Sequence, residues 1–97
     1  MADLAFVDEF KLFDGTCVRF HARDGEHMVP CGVTAEALKR RDSRLPTNGL
    51  IPAEEFIAAY ERLAVEIHSI ARAKYAAGEL EPDGDVRVIV RRRDLIA

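Results

Sequence analysis

The chain has 97 residues, 48% of them hydrophobic and 32% charged, with a formal net charge of −3. A chain of that length buries about 60–70% of its unfolded surface, enough for one small core and too little for a second domain. The charge excludes a global attraction to nucleic acid or acidic membrane, and no apolar run approaches the ~20 residues that span a bilayer. Two cysteines without a basic, apolar leader point to free thiols in a reducing compartment, so a cytoplasmic protein is expected.

"MADLAFVDEFKLFD" (1–14) mixes acids with Leu4, Phe6, Phe10, Leu12 and Phe13 and is expected to form an extended, docked N-terminal arm. Asp14-Gly15 marks a turn into a β-hairpin over 15–33. "CVRFHA" alternates, with Val18, Phe20 and Ala22 on one face and Cys17, Arg19 and His21 on the other; "RDGE" is the hairpin turn and "HMVPCGV" the return strand. Symmetric pairing about Asp24-Gly25 sets Ala22 opposite His27, Phe20 opposite Val29 and Val18 opposite Cys31. Pro30 has no N–H to give, so an Arg19/Pro30 pair should be non-hydrogen-bonded. That favours a four-residue loop and a return strand at the sheet edge.

A short helix is expected over 34–42, with Thr34 as N-cap, Glu36 at the positive end of the dipole, and Ala35 and Leu38 facing inward. Residues 43–52 are rich in turn formers. Phe56, Tyr60, Leu63, Ile67 and Ile70 recur at spacings of four and three, which predicts one long amphipathic helix over 52–77, ending at Gly78. "EPDGD" is a turn, and a last strand is expected over 85–92, with Val86, Val88 and Val90 facing the core and Arg87, Ile89 and Arg91 facing outward.

The residues "VRF", "VPCGVTAEAL", "FIAAYERLAVEIHSIARAKYAAG" and "VRVIVRRRDL" resemble a small bacterial family catalogued as domain of unknown function 1488. The resemblance runs from about Phe10 to Leu95. It implies a two-layer α+β domain on a small antiparallel sheet and brings no activity or catalytic residue with it.

Cys31 precedes the helix start by three residues and points into the apolar layer, which reads as a structural cysteine. Cys17, on the other face near Arg19, is the candidate for a reactive thiol, and its opposite face from Cys31 argues against a disulfide. His21, His27 and His68 share neither face nor spacing, so no metal site is expected, and no cofactor loop or nucleophile elbow is present. Lys39-Arg40-Arg41 suits the negative end of the first helix, and Arg91-Arg92-Arg93 is followed by Asp94, a pairing partner for one of them. On the long helix, Ala58, Val65, Ala73 and Ala76 form a strip of small residues that suits a homodimer contact.

The expected fold is therefore α+β and two-layer: a three-stranded antiparallel sheet, β-β-α-α-β, packed on one long and one short helix. With the last strand beside the first, the outer sheet face gathers Arg19, His21, Arg87 and Arg91 around Met28 and Ile89; with it beside the second instead, Arg87 and Arg91 move away from Arg19 and the patch thins. The expected function is a small non-enzymatic interaction module, self-associating, with that face meeting a second copy or an unknown protein or anionic partner. One alternative is an anion- or nucleic-acid-binding protein using the same arginines with Lys39, Arg40 and Arg41, although the face lacks aromatic residues for base stacking. Another is a thiol-dependent redox or enzymatic role for Cys17. No membrane partner is expected.

Overall fold

The structure, a computed structural model, describes residues 4–46, 49–82 and 86–95, leaving aside the side chains of residues 8–10. In chain order it forms β1 (Ala5–Phe13), β2 (Cys17–Asp24), β3 (His27–Thr34), α1 (Ala35–Arg41), α2 (Ala53–Arg62), α3 (Ala64–Ala76), β4 (Val88–Val90) and α4 (Arg92–Leu95). The strands make one sheet in the order β1-β2-β3-β4. The expected α+β class holds. The strand count and pairing do not: the sheet has four strands, and β4 lies parallel to β3, with Cys31 opposite Val88 and Val33 opposite Val90.

The expected arm is β1, antiparallel to β2 at the sheet edge. Phe6 and Phe13 find cover by pairing: Phe6 stands opposite Ala22 and Phe13 opposite Val18, both on the core side. Phe6 stacks on His68 at 3.9 Å between centroids and Phe13 on Phe56 at 4.4 Å. The register jumps from Val7↔His21 to Lys11↔Phe20. Residues 8–10 are extra on the β1 side, so the two-residue alternation that marks a strand breaks in the middle. Residues 1–3 of the expected arm, residues 83–85 of the expected turn and strand start, and residues 47–48 of the expected loop lie outside the described residues.

The hairpin register differs from the expected one by two residues. Asp24 pairs with His27, Ala22 with Val29, Phe20 with Cys31 and Val18 with Val33. The loop is the two residues Gly25-Glu26, and Gly25 alone takes positive φ (+61°), which is the type II′ arrangement. A shift of two keeps every side chain on its expected face. Pro30 faces His21 rather than Arg19. Pairing closed at Asp24↔His27 makes that a non-hydrogen-bonded pair, so the missing N–H costs the hairpin nothing. Contrary to expectation, β3 is an edge only over its first half; from Cys31 onward it is flanked by β4, and the Pro30 carbonyl accepts the Arg87 N–H at 2.8 Å.

Thr34 caps α1, its Oγ1 accepting the Ala37 N–H at 3.1 Å, and Ala37 and Leu38 are buried. The single helix expected over 52–77 is two helices that meet at Leu63, where φ is −104° and ψ is 9°. The Leu63 N–H is shared between the Ala59 and Tyr60 carbonyls, both at 3.1 Å. The bend lets Phe56, Ala59 and Tyr60 of α2 and Ile67 and Ala71 of α3 all reach one core. The last strand is shorter than expected at both ends, the chain bending at Arg87 before it and Asp94 ending it. The Asp94 Oδ2 accepts the Arg91 N–H at 2.8 Å, a capping-box contact that starts α4, and also takes the Lys74 ammonium at 2.8 Å. Asp94 therefore pairs with a buried lysine and a backbone amide, whereas the sequence reading offered it an arginine side chain.

Phe20, Leu38, Ile67, Val18, Val33 and Val88 are the largest fully buried side chains. Cys31 is buried with them, its thiol pushed up to about 12 by burial, which settles it as a core residue. Phe20 lies at the centre, 4.9 Å from the Tyr60 ring and 5.6 Å from His68. Phe20→Ala should therefore cost about 3–5 kcal/mol of unfolding free energy in urea titration. Val65→Ala, at a position 87% exposed, should stay within about 0.5 kcal/mol. Similar losses for the two would mean that Phe20 is not the centre of the core.

Candidate functional site

The strand pairing lays out the face opposite the helices row by row. Ala5, Arg23 and Met28 form one row; Val7, His21 and Pro30 the next; then Leu12, Arg19, Gly32 and Ile89. Met28 is 48% exposed and Leu12 47%, while Ile89, Val7 and His21 are half-buried. Gly32 leaves a gap in its row, and the place its Cβ would take is 3.4 Å from the Cys17 Cβ and 3.5 Å from the Val86 Cγ1. Val86 is thus buried on this outer side, not in the main core that Val88 and Val90 join. The chain bends at Arg87, just before β4, so the alternation expected to run back through Val86 does not reach it.

The arginines are placed differently from the expected cluster. β4 sits beside β3, so Arg87 and Arg91 stand about two strand spacings, roughly 10 Å, from the line of Arg19. Arg19 Nε donates to Asp14 Oδ2 at 2.7 Å. Arg91 forms a two-point pair with Glu81, at 3.0 and 2.9 Å, and the Arg87 guanidinium donates to the Glu81 carbonyl at 3.2 Å. Asp14 and Glu81 were not singled out in the sequence, where each reads only as a turn residue. The Asp-Gly turn did carry a signal: Asp14 Oδ1 accepts the Thr16 and Cys17 N–H groups, both at 2.8 Å, a habit of aspartate in turns. The Cys17 N–H is the largest influence holding the Asp14 carboxyl low, and the Arg91 hydrogen bonds do the same for Glu81.

Cys17 is 6% exposed. Burial pushes its thiol up, the Asp14 charge adds to that, and Arg19 and Arg91 offset only part. Such an environment disfavours the thiolate a nucleophile needs. Both cysteines are free. Among the described residues no group of three or more His, Cys, Asp or Glu side chains converges as a metal ligand set, and no helix is long and apolar enough to cross a membrane. His68 belongs to the interior, its Nε2 hydrogen-bonded to the Tyr60 hydroxyl at 2.6 Å.

The two basic runs, about fifty residues apart in sequence, meet at one end of the molecule, where α1 packs against α4. Arg92 Nη1 reaches Glu36 Oε1 at 3.4 Å. Arg41 is drawn away to Glu66, and Lys39 lies 5.9 Å above the Phe56 ring. A hollow of about 720 Å³ opens beside Thr16, Thr34, Glu36 and Arg91–Arg93. A second, of about 290 Å³, lies beside Glu36, Lys39, Arg40 and Arg92. The small-residue strip expected for a dimer is split by the bend at Leu63, with Ala58 on α2 and Val65, Ala73 and Ala76 on α3.

The family model described as "Protein of unknown function (DUF1488)" matches residues 8–88. No curated protein matches the chain. Among solved structures, the chain is similar to a protein of unknown function from the DUF1488 family of Shewanella loihica PV-4, known from a crystal structure at 1.60 Å. The two are 13% identical with a TM-score of 0.74, and the match covers 94% of this chain and 96% of that one. At that identity the likeness speaks for the fold alone.

The carboxyls of Asp14, Glu81 and Asp94 are all held below their ordinary values of 3.8, 4.5 and 3.8. Each therefore stabilises the fold above the ordinary carboxyl range, and that contribution is lost as pH falls through the lower folded values. The thermal midpoint should drop between about pH 5 and pH 3, and Glu81→Gln should flatten part of the slope. A wild-type midpoint that stays level over this interval would contradict the assignment. Iodoacetamide should modify Cys17 slowly until the chain unfolds; rapid labelling of native protein at neutral pH would restore the reactive-thiol reading.

Proposed function

We propose that this chain, which belongs to the DUF1488 family of proteins of unknown function, is a small non-enzymatic interaction module that self-associates through the outer face of its sheet. The observation that carries this reading is one-sided cover. The described helices all join a core on one face, and the other presents Leu12 and Met28 half-exposed with Ile89, Val7 and His21 between them. A second copy suits this face better than an anionic partner. A two-fold contact sets the same patch against itself, and an uncompensated cationic patch would repel its copy. Here Asp14 and Glu81 neutralise Arg19 and Arg91 in place. Leu12, Met28 and Ile89 then supply the apolar part of the contact, with Arg19 and His21 on the strand inside Leu12 and Arg87 and Arg91 flanking Ile89 as its polar part.

Light scattering across a concentration series tests this. The expected result is a dimer that persists at high salt, converted to monomer by Leu12→Glu/Met28→Glu with little change in thermal midpoint. Arg87→Ala, at the rim, should weaken the dimer by less than ~1 kcal/mol. A wild-type monomer at high concentration would sink the proposal. A dimer broken instead by Val65→Glu would move the contact to the helical side.

A further inference from the structure

The hollows beside α1 and α4 adjoin across the Glu36–Arg92 contact, which lines both, and make a two-part groove. Five cations border it, Lys39, Arg40, Arg91, Arg92 and Arg93, against one acid, Glu36. They are not equally engaged. Arg91 gives both Nη groups to Glu81 and contributes its field more than its donors. Arg92 holds Glu36 at 3.4 Å with both side chains more than half exposed, a contact that an incoming anion can displace. Among the described residues neither Arg40 nor Arg93 is held by a carboxylate. The neutral donors fit the same purpose. The Thr34 oxygen already accepts the Ala37 N–H, which leaves its hydroxyl hydrogen free to donate, and Thr16 is exposed at the rim.

We infer that this groove binds the oligophosphate group of a small molecule, with Arg40, Arg92 and Arg93 as its principal contacts. Guanidinium forks match phosphate oxygens in pairs, which favours phosphate over a spherical anion. Two adjoining hollows suit a ligand with successive anionic groups over a single ion, and the larger, of about 720 Å³, falls in the ~300–1,000 Å³ range of small-molecule sites. Among the described residues no aromatic side chain lines the groove, which disfavours stacking on a nucleobase. A nucleic-acid strand is disfavoured by the rest of the surface as well. Among the described side chains, nine Lys and Arg stand against eleven Asp and Glu outside the groove, so a strand running past its ends finds no excess of positive charge. The inference does not rest on the proposed self-association.

The test is isothermal titration with sodium tripolyphosphate at fixed ionic strength, with sulfate as comparison and amide chemical shifts to locate the contact. The full chain should bind tripolyphosphate at least tenfold more tightly than sulfate, with shifts at Thr16, Thr34 and residues 91–93. Arg40→Ala/Arg93→Ala removes two exposed side chains and should keep the wild-type thermal midpoint while losing at least tenfold in affinity. Glu36→Gln removes the resident acid and should tighten binding several-fold, a gain that a merely damaged protein cannot show. Three results would overturn the inference: tripolyphosphate binding no tighter than sulfate, unchanged affinity in the double variant, or tighter binding of a single-stranded RNA 12-mer through the same arginines.

Discussion

The parallel pairing of β4 with β3 governs the arrangement of everything else. Two neighbouring parallel strands cannot be joined by a tight turn; the chain must leave the end of one and return to the start of the other. Here that connection runs from Thr34 to Val88 and contains α1, α2 and α3. A crossover of this kind passes over one face of the sheet and has a preferred hand, so its helices arrive on the same side. The apolar halves of β2, β3 and β4 are covered together, and the other face is left to side chains that balance their own charges. The one-sided core and the candidate contact surface have one topological cause.

Holding so short a strand in place falls to contacts at its ends. β4 has three residues, yet the segment around it is tied at both sides. Before it, Glu81 donates its N–H to the Arg87 carbonyl at 2.8 Å while its carboxylate takes Arg91. After it, Asp94 binds the Arg91 N–H and Lys74, whose side chain is 8% exposed. Removing one member of a pair so poorly solvated leaves a charge without compensation, although the pair itself contributes little net stability relative to an apolar replacement. Its consequence is positional: it locks the C-terminal turn to α3 and so fixes where β4 can lie. A comparable tie closes the far end, where the Tyr75 hydroxyl at the end of α3 donates to Asp24 at the hairpin.

The faces of β2, β3 and β4 were legible in the sequence, because which side a residue takes depends only on period-two alternation. Alternation is blind to a shift of two residues, so the hairpin register slipped from Phe20↔Val29 to Phe20↔Cys31 without moving any side chain across the sheet. It says equally little about which strand is whose neighbour, and the expected arginine cluster depended on that neighbour. β1 was hidden by residues 8–10, which interrupt its pattern, and the bend at Leu63 has no proline or glycine to announce it. Asp14 and Glu81 escaped notice because their partners are chosen by folded geometry. The groove residues were visible as two basic runs, each explained locally by a helix or strand end, and only the packing of α1 against α4 joins them.

Charge is therefore distributed with more structure than a net of −3 conveys. On the sheet side, Arg19 and Arg91 each have a carboxylate supplied by an adjoining turn, and the exposed large apolar side chains there are Leu12 and Met28. At the α1–α4 end, cations outnumber acids among the described residues, and three of them, Lys39, Arg40 and Arg93, have no carboxylate partner there. A neutralised, partly apolar face favours contact with a surface like itself, since water release drives it and no like charges meet. Uncompensated guanidinium groups favour a small ligand carrying successive anionic groups, an attraction that salt would screen. The edges disfavour a third mode, strand addition: β1 breaks its register between Val7 and Lys11 and β4 is only three residues long, so neither offers a long flat template. Salt should thus separate the two proposed contacts, leaving association through the sheet face nearly unchanged while it weakens whatever the groove holds.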